Sequence, residues 1–233
     1  MPDTLLRYLE DYLHEPQILS LPEFNQMDIP IPDLWGAILQ ERGRRRKEML
    51  LEAWSYYQKE LPGVYELLEE RLERVELLHH RGGVSLLYIL LSNGKTYCYE
   101  GRNPCQMSMR PEIERVWRSL PKKLKSFYDE LHNGWFYLPS ESLGPAPVES
   151  FFFLSEDEWG ILDEIGKDLR FSMETMLAVF TNGAGGYLCI DTASEPIDTD
   201  SPKSIIWWHD GPPDLEIDFW GVMDAWTEIG LTT

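Results

Sequence analysis

Basic residues nearly vanish from the second half of this chain. Residues 126–233 hold three (Lys167, Arg170, Lys203) against 21 acidic ones, so this half carries −18 of the net −19. Nucleic acid and anionic membrane bear the same sign of charge, which excludes both as partners for such a surface. Cysteine is also scarce. Cys98, Cys105 and Cys189 are too few, and odd in number, for a disulfide framework, and the expectation is a cytoplasmic protein with free thiols. No apolar run reaches the length of about 18 residues that a bilayer span requires. The longest, Val84 to Leu91, is strand-sized. The Met-Pro-Asp-Thr start has no basic region followed by an apolar stretch, so no secretory signal is expected.

What is present is ordinary globular composition. Of 233 residues, 43% are hydrophobic and 12% aromatic, enough for one good core or two small ones. Residues 1–125 are close to neutral, with 18 basic and 19 acidic side chains. The texture of the chain changes at Pro111, which suggests an N-terminal region over 1–110 and a second unit over 111–233. In the first, periodicity predicts a short helix ending near His14, a helix from about Leu34 to Glu60 weakened by Gly43, and another from Val64 to about His79. Val84–Leu91 and Lys95–Glu100 flank Asn93-Gly94, a strong hairpin signal because both turn positions need positive φ. In the second unit, helices are expected after Pro111 and after Leu120-Pro121. Strands are expected at Trp135–Leu138, Ser150–Leu154, Met176–Thr181, Gly186–Asp191 and Ile205–His209. Ser155 with Glu158 reads as a capping box opening a helix to about Ile165, and Glu216–Ile229 as a final amphipathic helix.

Residues 120–135, Leu-Pro-Lys-Lys-Leu-Lys-Ser-Phe-Tyr-Asp-Glu-Leu-His-Asn-Gly-Trp, resemble the opening motif of the SUKH superfamily: Leu-Pro, an aromatic-bearing helix, then Asn-Gly. Ser150–Ser155, Phe180–Tyr187, Ile206–Asp210 and Asp218–Trp220 are similar in order to its later strands, turn and final helix. The resemblance covers about residues 111–233. It implies an α+β fold, a central, largely antiparallel sheet with helices packed on it, here preceded by a helical region with a β-hairpin. It also implies a binding role. Many bacterial members are immunity proteins that neutralise toxins, often nucleases. Yeast members act as scaffolds in cell-wall signalling, and no common catalytic site is associated with the family.

Few motifs compete with that reading. Asn182-Gly183-Ala184-Gly185-Gly186 lacks the Lys-Ser/Thr of a phosphate loop and precedes a strand-like run, so it reads as a tight turn. The acidic stretch Asp191–Asp200 lacks the glycine and terminal glutamate of a calcium loop. His79-His80 reads as a helix end. His209-Asp210 has no nucleophile placed beside it by motif. Arg42–Lys47, with Glu41, Glu48 and Glu52 around it, reads as a solvated helix face. No cofactor or metal is expected. The expected function is an immunity protein that binds a cognate toxin, with a non-toxin scaffold as the alternative. The candidate partner-binding residues are Asp191, Glu195, Asp198, Asp200, Asp210, Asp214, Glu216 and Asp218, chosen for acidic density without nearby basic residues. A toxin that holds nucleic acid would offer the complementary basic surface.

Overall fold

The computed structural model describes residues 2–81, 83–166, 169–193 and 201–232. The chain opens with α1 (Pro2–Glu10), β1 (Gln17–Leu19) and the short α2 (Leu21–Phe24), whose Ser20 and Glu23 form a reciprocal capping box. The helix expected over 34–60 is two, α3 (Asp33–Gln40) and α4 (Gly43–Ser55). The break falls where Glu41 and Arg42 turn extended and Gly43 takes φ +53.

Helix α5 (Pro62–Arg71) stops well short of His79. Leu72 turns extended, and residues 72–80 form β2 (Leu72–His80) instead of a continued helix. Apolar residues at 72, 75 and 78 suit one helical face, but β3 (Gly83–Ser92) is buried along nearly its whole length and needs a ladder on both edges. It pairs antiparallel with β2 on one side and with β4 (Lys95–Arg102) on the other. Tertiary pairing thus overrides local propensity. The β3–β4 turn has Asn93 at φ 50 and Gly94 at φ 74, as the hairpin signal requires.

Next come α6 (Pro111–Trp117), α7 (Lys122–Ser126) and a π-helical turn over Phe127–Leu131. Strand β5 (Trp135–Tyr137) pairs with β4, completing the order β1-β2-β3-β4-β5. The remaining elements are β6 (Gly144–Pro145), β7 (Phe152–Phe153), α8 (Leu162–Ile165), β8 (Met176–Thr181), β9 (Gly186–Asp191), β10 (Ser204–Trp208), β11 (Gly211–Asp214) and α9 (Phe219–Thr232). They give a second sheet, β11-β10-β9-β8-β6, with β7 also on β8. The fold is α+β with antiparallel pairing, but with two sheets where one was expected. Ser155 opens no helix. Glu156 turns back to accept from the Phe153 N–H and pairs with Arg110, and the helix begins only at Leu162.

The largest core joins α3–α5 and the first sheet to α7, the π turn and α9. At its centre Trp54 and Trp135 lie 4.9 Å apart, centroid to centroid, and Tyr99 lies 4.5 Å from Trp135. Asp224 of α9 reaches the start of α5 and accepts from the Gly63 and Val64 N–H groups, so one element caps the other. Asn133 pins the next loop: its Oδ1 accepts from the Val148 N–H and its Nδ2 donates to Glu149. Among the described residues no helix is long and apolar enough to cross a membrane.

Candidate partner-binding surface

The second sheet sorts the acidic candidates by strand direction. β9 and β10 are antiparallel, with Ser204 opposite Ile190 and Trp208 opposite Gly186. Asp191 therefore sits at the end of the sheet where β10 begins. β11 returns along β10, with Gly211 opposite Trp208 and Asp214 opposite Ile206. The chain then runs back toward Ser204, whose hydroxyl donates to the Ile217 carbonyl 3.2 Å away. Glu216 and Asp218 thus return to the same end as Asp191. Asp210 does not: it lies at the opposite end, in the β10–β11 turn beside His209 and 3.7 Å from it. Glu195, Asp198 and Asp200 lie outside the described residues.

Asp214, Glu216 and Asp218 are exposed and make no ion pair among the described residues. Asp191 is half-buried and accepts from the Ala193 N–H in a short local turn. Glu216 takes φ +54, a left-handed conformation that costs a non-glycine residue of order 1 kcal/mol. This kink presents Leu215, 44% exposed, between two carboxylates. Asp218 sits immediately before α9, where negative charge suits the helix dipole.

An aromatic platform lies alongside. Strand alternation turns Trp207 fully inward and leaves Trp208 half-exposed. Trp208 donates through Nε1 to Asp214 Oδ2 at 2.9 Å and packs against Trp226, 5.9 Å between centroids. Trp135, Trp159, Trp207 and Trp220 are buried and Trp226 is half-buried.

Residues 112–226 match the model of the SMI1 / KNR4 family (SUKH-1). This segment belongs to the SUKH superfamily. No curated protein and no solved structure matches it. The SUKH segment supplies the whole second sheet and β5 of the first, and its Asn133 holds the Val148–Glu149 loop in place.

The competing motifs of this SUKH chain resolve as follows. Asn182–Gly185 joins β8 to β9, with Asn182 Oδ1 accepting from the Ala184 and Gly186 N–H groups, so it is an inter-strand turn. His209 is 55% exposed and rests near the Gly185 carbonyl. His79 and His80 are not at a helix end but in β2, because that segment pairs with β3. Arg44 and Arg45 form the expected exposed face with Glu48, whereas Arg46 turns inward to the carbonyls of Leu39, Glu41 and Val75. Cys98 and Cys189 are buried and Cys105 is exposed; burial pushes the Cys98 thiol up to about 12. Among the described residues no group of three His, Cys, Asp or Glu side chains is placed to hold a metal ion.

Proposed function

We propose that this chain is a cytoplasmic immunity protein that binds and blocks a cognate bacterial toxin. The observation that carries the reading is a SUKH-1 segment whose β11–α9 connection presents Asp214, Glu216 and Asp218, without ion pairs among the described residues, around an exposed leucine. The arrangement suits an interface: an apolar anchor with a carboxylate rim, beside the half-exposed Trp208. Asp191, and Glu195, Asp198 and Asp200 that follow it in the chain, extend the acidic set; Asp210 contributes at the periphery. A toxin that grips phosphates has a basic cleft, and opposite potentials can raise association rates from about 10⁵–10⁶ to about 10⁸–10⁹ M⁻¹s⁻¹. Such speed suits a protein that must intercept an arriving toxin. The role is binding without catalysis, in keeping with a family that is generally non-enzymatic.

Residues 1–110 serve in this reading as an N-terminal extension packed onto the domain over 111–233. The β4–β5 pairing and the Asp224 cap on α5 support it.

Co-expression of the chain with the product of the adjacent gene, followed by affinity capture and a growth assay, tests the function. The expected result is a stoichiometric complex and rescue of cells from that product. A neighbour that is not toxic, together with capture of host proteins alone, overturns the toxin reading in favour of a scaffold.

A further inference from the structure

A cavity of about 300 Å³ opens where the β2–β3 turn and the end of β4 meet the Asn133 and Glu149 loops. His80, Arg81, Glu100, Arg102, Gln106 and Glu149 line it. Two guanidiniums and an imidazole face two carboxylates, but both carboxylates are already engaged.

Glu100 is buried, its Oε1 2.7 Å from His80 Nε2 and 4.0 Å from Arg102 Nε. Burial alone would raise its pKa, yet the hydrogen bond and charge of His80, with the charge of Arg102, hold it below the usual carboxylate value. Glu149 accepts from the Ser108 N–H and, through both oxygens, from the Asn133 amide. The Gln106 Oε1 accepts from the Val84 N–H and from Asn103 Nδ2.

What remains over is donors. The Arg102 guanidinium lies over the Phe136 ring, 5.2 Å from its centroid, and hydrogen-bonds no other side chain among the described residues. Gln106 Nε2 has no acceptor among the described residues. Among the described residues Arg81 is tied only to Glu141, across 3.8 Å with both side chains exposed, a pair of little strength. A lining rich in free donors and short of free acceptors matches a ligand that only accepts.

We propose that this cavity binds a small-molecule oxyanion, a carboxylate or phosphate group, gripped by Arg102 with Arg81, Gln106 and His80 around it. Guanidinium is the side chain best shaped for such groups, and the volume lies at the lower end of small-ligand pockets, about 300–1,000 Å³. The site is built mainly from the near-neutral half of the chain and does not depend on the toxin reading.

Calorimetric titration of the full chain with citrate, and separately with inorganic phosphate, tests it at neutral pH and constant ionic strength. Saturable binding of either probe at one site per chain is expected. Arg102→Gln should weaken it by at least about tenfold, the scale of one lost charge-assisted contact, while the exposed Arg44→Gln on α4 leaves it unchanged. No saturable binding of either probe up to about 10 mM, a concentration that reveals even feeble sites, overturns the proposal. So does wild-type affinity in a folded Arg102→Gln protein. Should that variant fail to fold, Arg81→Gln on the exposed turn and Gln106→Met take its place, and undiminished binding in both overturns it equally.

Discussion

The Tyr88 hydroxyl stands 2.6 Å from His132 Nε2, joining β3 of the first sheet to the Leu-His-Asn-Gly segment of the SUKH domain. A third residue completes the group. Trp54 Nε1 can only donate, and it donates to the Tyr88 oxygen at 2.9 Å. The Tyr88 hydroxyl thus bridges Trp54 and His132, whose ring is neutral. Complete burial agrees, depressing the His132 pKa from 6.5 to about 3.

Acid should therefore weaken the fold before carboxylates titrate. The unfolded chain takes up this proton near pH 6.5 and the folded chain only near pH 3, so between these values the unfolded state holds more protons. The stabilisation is complete above pH 6.5 and declines as pH falls toward 3, by at most roughly 4–5 kcal/mol. His132→Phe should lower stability at neutral pH by about 1–3 kcal/mol, because the buried Tyr88 hydroxyl loses its partner, while flattening the slope between pH 6.5 and 4. Urea unfolding at several pH values measures both. Parallel pH curves for the two proteins would show that His132 is not the group responsible.

Gly101 and Gly36 should respond to alanine with opposite signs. A Cβ on Gly101 would lie 2.5 Å from His132 Nδ1, inside a ring that the Tyr88 bond holds still. Gly101→Ala should cost about 1–3 kcal/mol through forced repacking. Gly36 lies within α3, where an added Cβ meets nothing within 4 Å. Gly36→Ala should stabilise by about 0.5–1 kcal/mol through helix propensity and a less disordered unfolded chain. Thermal melts decide the matter, and equal shifts in one direction would refute the steric argument.

Asp224 couples α9 to α5, and its loss should be felt throughout the molecule. Asp224→Ala strips the acceptor from two N–H groups at the start of α5 and should cost about 2–3 kcal/mol, with Asp224→Asn, which keeps one acceptor oxygen, costing about 1. Amide exchange reads the locus: protection should fall first at Val64–Leu68. Loss confined to the C-terminal turn of α9 would mean that the cap contributes nothing.

On the acidic surface, rate constants separate charge from contact. Reversing Asp214 and Glu216 together to lysine should slow association with a basic partner by about tenfold or more at low salt and flatten its salt dependence. Leu215→Ala should instead leave association nearly unchanged and speed dissociation, by about tenfold if the side chain is an anchor. Surface plasmon resonance at two ionic strengths distinguishes the two. An unaltered on-rate in the charge-reversed protein would remove this patch from the interface.

Much of the second sheet was legible because its signals are local. Met176–Thr181 and Gly186–Asp191 flank a turn whose Asn and Gly residues suit it, and Asn93-Gly94 marked the first hairpin in the same way. The 72–80 segment was not legible. Its leucines fit a helical stripe as well as a strand, and the choice rested on β3, which lies later in the chain and needed a partner. The His80–Glu100 pair was invisible for the same reason: the two residues meet only once β2, β3 and β4 are assembled. The acidic candidates were chosen by density in the chain, which carries no information about strand direction. β11 reverses on β10, so Asp210 is separated from Asp214, Glu216 and Asp218, only a few positions on.

By itself the sequence determined the charge asymmetry, the α+β class, the principal turns and the SUKH membership, since composition, turn chemistry and ordered motifs depend only on residues near one another in the chain. Only the tertiary structure decided that the first sheet recruits β5 from the SUKH segment, that Asp224 caps a helix some 160 residues earlier, and that three carboxylates share one exposed turn. Those outcomes required distant groups to satisfy each other's hydrogen bonds and bury each other's apolar faces, and no local pattern encodes such a meeting.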